Sequence, residues 1–157
     1  MANAAMENAL EILKGRIGES LAPSEWFRVT QETIDGFADV TMDHQWIHVD
    51  RERSRSGPFG TTIAHGHLTL SLMNHLPQSA DAKPRQMEGQ KLGINYGFNK
   101  VRFPAPVPEG AEIRTTRTLK SVEPKGEMLE AVYEVVVEIK GADKPACVAE
   151  SVSRLVF

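Results

Sequence analysis

Between His65 and Leu76 the chain carries a helix-length run, HGHLTLSLMNHL, that is apolar nearly all round. Leu68, Leu70, Leu72, Met73 and Leu76 fall around most of its circumference, interrupted by Thr69, Ser71 and Asn74. A helix of that kind in a soluble protein has to be buried. A chain of 157 residues supplies one domain with which to bury it. Pro77 ends the run, 78–90 reads as a surface loop, and everything afterwards favours strands. Residues 91–103 form one, closed by the turn PAPVPEG, and 111–122 form a second. EPKGE is a hairpin turn. From Leu129 the alternation of Ala131, Tyr133, Val135, Val137 and Ile139 against Glu130, Glu134 and Glu138 marks a half-buried strand. After the turn GADKP, Ala146 to Phe157 is the last strand. An antiparallel meander wrapping one buried helix is the layered arrangement this order favours, an α+β fold.

The first third of the chain prepares that arrangement. Leu10, Leu13 and Ile17, with Ile12 alongside, predict an amphipathic helix over 4–17 stopped by Gly18. Trp26 to Thr30 reads as a short strand. Thr30 is a fitting N-cap for a helix through about Met42, because its hydroxyl can accept an otherwise unpaired amide. Ile34, Phe37, Ala38 and Val40 or Thr41 give that helix its buried side. Residues 43–60 are polar, hold two glycines and Pro58, and read as a long loop of the functional kind.

Composition closes off several classes of function. The formal net charge is −3, which gives no reason to expect nucleic acid or an anionic membrane as partner. No apolar run approaches the ~20 residues of a membrane helix. The N-terminal stretch has early acids and no apolar core, unlike a secretory leader. These features predict a cytoplasmic location. The single cysteine, Cys147, has no internal disulfide partner, forms no metal-binding cluster, and reads as core.

Two segments concentrate the chemistry. In MDHQWIHVD, a carboxylate and an imidazole, Asp43 and His48, lie five residues apart. On one helix they would diverge by roughly 140°, so only a loop brings them together. Together they would form an acid/base pair in which each tunes the other; apart, Asp43 caps a turn and His48 is a loop histidine. In GPFGTTIAHGHLTLSL, a glycine-rich loop enters the buried helix at Gly66. Helix-entry amides suit a carbonyl oxygen that gains negative charge; alternatively, Gly57, Gly60 and Gly66 serve turns and close packing. The histidines His44, His48, His65, His67 and His75 include an i, i+4 pair and a His-x-His pair. At a helix start, i, i+2 side chains diverge, so no metal site is expected. Lys91, Lys100, Arg102, Arg114, Arg117 and Lys120 read mostly as a solvated sheet face, a subset of which could meet substrate phosphates.

Asp43-x4-His48 followed by an IAHG helix entry resembles the MaoC-like dehydratases, or (R)-specific enoyl-CoA hydratases (hydratase 2). DHQWIHVD, GPFGTTIAHGHLTLSL and NYGFNKVRFPAPVPEG look closest to the NodN-like branch. The resemblance covers about residues 20–157 as one hot-dog domain, leaving 1–19 as a helical extension. It implies a single hot-dog fold, an antiparallel sheet around a long central helix. By position, Asp43 and His48 match the family's catalytic residues. Gly66 matches the glycine whose amide binds the thioester oxygen, and Ser71 a supporting helix serine. The common pattern is Gly-Asp-x-Asn-Pro-x-His, whereas this chain has Met42, Gln45 and Trp46 at the Gly, Asn and Pro positions. Gln45 keeps hydrogen-bonding ability, and Trp46 adds bulk to a pocket that the resemblance extends to His65, Tyr96 and Asn99. The implied activity is reversible hydration of a trans-2-enoyl-CoA to an (R)-3-hydroxyacyl-CoA in fatty acid metabolism, by a homodimer without cofactor or metal. A hot-dog acyl-CoA thioesterase and a non-catalytic acyl-CoA-binding protein are the alternatives.

Overall fold

A computed structural model describes residues 3–76 and 86–157, so Pro77 and most of the 78–90 loop lie outside the described residues. Helix α1 spans Ala4–Lys14, with Asn3 capping its start by accepting from the Ala5 amide at 3.0 Å. It stops at Gly15 rather than Gly18, whose φ of +85° belongs to the following turn. Strand β1 is only Phe27–Arg28. Helix α2, Gln31–Thr41, starts as expected at Thr30, whose hydroxyl accepts from the Thr33 amide. Ile34 and Ala38 are buried beneath it, but Val40 and Thr41 point to solvent.

The stretch expected to be a plain loop contains two short helices, α3 (Trp46–Val49) and α4 (Arg51–Arg55). Asp50 ends the first and caps the second, accepting from the Arg53 amide at 2.9 Å. Elements this short leave no readable periodicity. Helix α5 runs Gly66–Leu72, shorter than the expected central helix, with hydrogen-bonded turns continuing to Leu76. It is not buried all round: His67, Ser71 and His75 are exposed, while Leu68, Thr69, Met73 and Leu76 are buried. Positions i, i+4 and i+8 form one stripe, and that stripe is α5's wet side.

The remaining strands are β2 (Leu92–Arg102), β3 (Glu112–Lys125), β4 (Met128–Ile139) and β5 (Cys147–Val156). All pairings are antiparallel, in the order β1-β3-β4-β5-β2. β3, β4 and β5 form the expected meander, but β2 crosses over to pair with β5. The β3–β4 turn is tighter than EPKGE, since Lys125 pairs with Met128 and Gly126 takes φ +63°.

One face of this sheet is the wall of two cores. Around α5, Leu68, Met73 and Leu76 pack with Val29, Ile34, Ile113, Val135, Val137 and Cys147. Around α1, Met6, Ala9 and Leu13 pack with Leu119, Val122, Leu129, Ala131 and Phe157, and Tyr133 touches both clusters. Burial pushes the Cys147 thiol up to about 11, consistent with a core role. Arg117 does not lie on a solvated face; it reaches inward to the Met73 carbonyl and the Asn74 side chain. A cavity of about 340 Å³ lies beside it, lined by Leu13, Met87, Leu119 and Tyr133 among others, and it includes neither Asp43 nor His48. Among the described residues, no helix is long and apolar enough to cross a membrane.

Candidate active site

The end of α2 creates the site. Met42 adopts a left-handed conformation (φ 63°, ψ 17°), which breaks the helical path and turns Asp43 out of it. The chain then re-enters a helix at Trp46, so Asp43 and His48 belong to different elements and can converge. Ligand-capable atoms of Asp43, His48 and His65 all lie within 4.8 Å of one another. Asp43 is exposed, whereas His48 and His65 are buried.

Two backbone carbonyls orient the histidines. His48 Nδ1 lies 2.7 Å from the Ile63 carbonyl, and His65 Nε2 lies 2.9 Å from the Asp43 carbonyl. A carbonyl only accepts, so each of these nitrogens carries the proton. In neutral rings this leaves lone pairs on His48 Nε2 and His65 Nδ1. Burial, and then His65, hold the His48 imidazole below its ordinary value of 6.5, partly offset by the Ile63 carbonyl and Asp43. His48 is therefore a neutral acceptor at pH 7. The two imidazoles stack with centroids 3.8 Å apart and planes tilted by 22°. A metal lies in the plane of each imidazole it binds, and planes so nearly parallel do not meet at bonding distance. The trio does not fit an ion shared by both histidines.

A buried polar network fixes His48 from behind. The Gln31 amide donates to the His48 carbonyl at 2.7 Å and to Asp35 at 2.8 Å, and Thr62 donates to Gln31 at 2.5 Å. Sequence reasoning missed Gln31 and Thr62. The available signal was a glutamine at helical spacing with the buried Ile34 and Ala38.

The other expected residues scatter. Gln45 is exposed at the start of α3; its amide approaches Asp43 at 3.4 Å and its carbonyl accepts from the His48 amide. Trp46 packs beneath the Arg53 guanidinium, 4.2 Å from its ring centroid. Ser71 is exposed and donates to the His67 carbonyl of its own helix. Tyr96 and Asn99 lie on β2, where Tyr96 stacks on Arg154 and Asn99 bonds Glu150. His44 pairs with Asp39 at 2.8 Å, which raises its pKa and takes it out of any i, i+4 pairing with His48. Gly66, directly after His65, faces Phe103 and is the first residue of α5.

The family model described as MaoC like domain matches residues 13–140. The chain belongs to the MaoC-like dehydratase family. It is 51% identical over 145 residues to 3-hydroxyacyl-thioester dehydratase Z of Mycobacterium tuberculosis, spanning 92% of this chain and 93% of that protein. It is 44% identical over 153 residues to Nodulation protein N of Rhizobium leguminosarum bv. viciae, spanning 96% and 93%. Solved structures share its hot-dog fold. A MaoC-like dehydratase from Rhodospirillum rubrum matches with a TM-score of 0.70 at 21% identity, covering 90% of this chain and 92% of that one. An (R)-hydratase from A. caviae involved in PHA biosynthesis matches with 0.66 at 20% identity, covering 87% and 94%.

The backbone explains the glycine of the MaoC-like pattern. The residue before the aspartate takes a positive φ, which costs a side-chain-bearing residue about 1–2 kcal/mol. Here Met42 bears that cost while 83% exposed, so its side chain has little packing to lose. Met42→Gly is expected to raise stability by about 0.5–1 kcal/mol, with part of the gain lost to a freer unfolded chain. The check is the urea midpoint; a lower midpoint would mean that Met42 makes compensating contacts.

Proposed function

We propose that this MaoC-like protein catalyses the reversible hydration of trans-2-enoyl thioesters to (R)-3-hydroxyacyl thioesters, with coenzyme A as the carrier. The observation that carries the reading is the convergence of the exposed Asp43 carboxylate with a neutral His48, beside the helix entry at Gly66. Asp43 and His48 hold one water between them. In the forward direction the water oxygen bonds to C3 of the enoyl group as the C2–C3 π electrons move toward the thioester carbonyl. The water's proton passes to the pair, and a proton from the same pair reaches C2. The Gly66 amide meets the thioester oxygen while it carries negative charge. The relatives named as a thioester dehydratase and an (R)-hydratase support both reaction class and stereochemistry.

The test follows crotonyl-CoA by loss of enoyl absorbance, with chiral analysis of the product and a parallel thiol-release assay. Hydration to the (R)-alcohol is expected. Thiol release without hydration would identify a thioesterase instead, and neither activity would leave only binding. Because the folded His48 pKa lies below 6.5, the acid limb of kcat/KM is expected below that value. An acid limb at or above 6.5 would assign it to a group other than His48.

We infer further that the working unit is a homodimer. β2 is an eleven-residue strand whose outer edge has no partner among the described residues, and Leu92, Ile94, Tyr96 and Phe98 along it are exposed. A long edge of that kind is a template for pairing, and pairing with a second copy would bring Tyr96 and Asn99 to a subunit interface. Sedimentation is expected to give a dimer that Ile94→Lys with Phe98→Lys weakens; a stable, active wild-type monomer would sink this inference.

A further inference from the structure

We propose that His65 is a positioning residue for the Asp43–His48 pair, a role resting on the hydratase reading above. One buried side chain sets both partners: its Nε2–H holds the Asp43 carbonyl at 2.9 Å, and its ring lies against the His48 ring with centroids 3.8 Å apart.

Four observations converge on this role. His65 occupies the N-cap position of α5, where Ser, Thr, Asp or Asn would bond the first free amides, yet its side chain makes no capping bond. It turns away from its own helix toward Asp43, so helix stability does not account for it. Asp43 also needs an anchor: it follows the left-handed Met42, and among the described residues its carboxylate accepts a hydrogen bond only from the Gln45 amide, at a long 3.4 Å. The His65 donor supplies that anchor across 22 positions of chain.

The third observation is the ring's packing. Phe37 lies 4.9 Å from His65, tilted by 56°, and His65 is only 3% exposed, so its plane is fixed and fixes that of His48. The fourth is the other nitrogen. His65 Nδ1 is buried without a hydrogen-bond partner among the described residues. A buried polar atom left so requires a reason. The side chain supplies one donor and one flat face, and its remaining lone pair meets no donor among the described residues.

Two substitutions separate donor from shape. His65→Phe keeps the ring and removes the donor, whereas His65→Gln removes the ring and returns an N–H near the Nε2 position. With crotonyl-CoA, His65→Phe is expected to lower kcat on the order of 10- to 100-fold with KM changed by less than about threefold, as for a displaced rather than a missing catalytic group. His65→Gln, which returns the donor but not the ring face against His48, is expected to recover part of that loss. Wild-type kcat in folded His65→Phe would overturn the proposal, as would His65→Gln as impaired as His65→Phe with both folded.

Imidazole ¹⁵N spectra of the wild-type protein give a readout independent of activity. They are expected to show His65 protonated on Nε2 and His48 on Nδ1; His65 protonated on Nδ1 alone would overturn the proposal even if hydration is observed. If these tautomers are found but no enoyl thioester is hydrated, the functional reading fails by itself. His65 is then judged by whether the Asp43 and Gln45 amide resonances shift in His65→Phe and return in His65→Gln. Should His65→Phe not fold, the wild-type spectra and His65→Gln carry the test.

Discussion

Asp43→Asn and His48→Gln are each expected to lower turnover of crotonyl-CoA by roughly 10²–10⁴-fold, the span for a positioned acid or base. Asn keeps the shape of Asp43 but cannot take a proton. Gln at 48 can still reach a carbonyl with its amide but has no titrating nitrogen. If both residues act on one water, as proposed, the double variant should lose little more than the worse single one. KM should change far less, because neither group is proposed to hold the acyl chain or carrier. Multiplying losses in the double variant would show that the two residues serve separate steps. A near-normal rate in either single variant would remove that residue from the pair. His48→Gln also tests stability, since His48 is 6% exposed and anchored to Ile63. Turnover per folded molecule is therefore the quantity to compare.

What the sequence made legible were the elements whose signals are local. The Thr30 cap, the α2 spacing of Ile34 and Ala38, and the β4 alternation each place a side chain by geometry within one turn or one pleat. The convergence of Asp43 and His48 was legible as a condition: a helix would separate them and a break would join them. The break proved to be the positive φ of Met42. Less legible was whatever depends on distant pairing. β2 reads as a strand, but nothing in 91–103 says that it pairs with β5 rather than with β3, its successor in sequence. The stacking of His65 on His48 and the packing of Phe103 over Gly66 join separate elements, and no local pattern encodes them. Ser71 shows the opposite case. Its exposure was readable from the His67–Ser71–His75 stripe, but the abundance of leucines around that stripe hid it.

Gly66→Val is expected to lower turnover by at least about 10²-fold, the cost of losing one donor to a developing oxyanion. Stability should fall by roughly 1 kcal/mol, near the bottom of the range for overpacked sites. The reason is space. Gly66 is not in a positive-φ conformation, so its backbone admits a side chain. A Cβ there, however, would lie 3.1 Å from Phe103 Cδ2 and Cε2 and 3.2 Å from Cγ. Phe103 is 42% exposed and can swing outward, which keeps the folding cost small. Swinging it fills or reshapes the approach to the first amide of α5, which keeps the catalytic cost large. Gly66→Ala should fall between, because one methyl asks the ring to move only a few tenths of an ångström. A glycine needed only for packing predicts the reverse order, a large drop in melting temperature with normal activity in the folded fraction. Unfolding and crotonyl-CoA hydration measured on the same purified Gly66→Val protein separate the two. If that protein unfolds easily while its folded molecules hydrate at the wild-type rate, Gly66 does not bind the thioester oxygen.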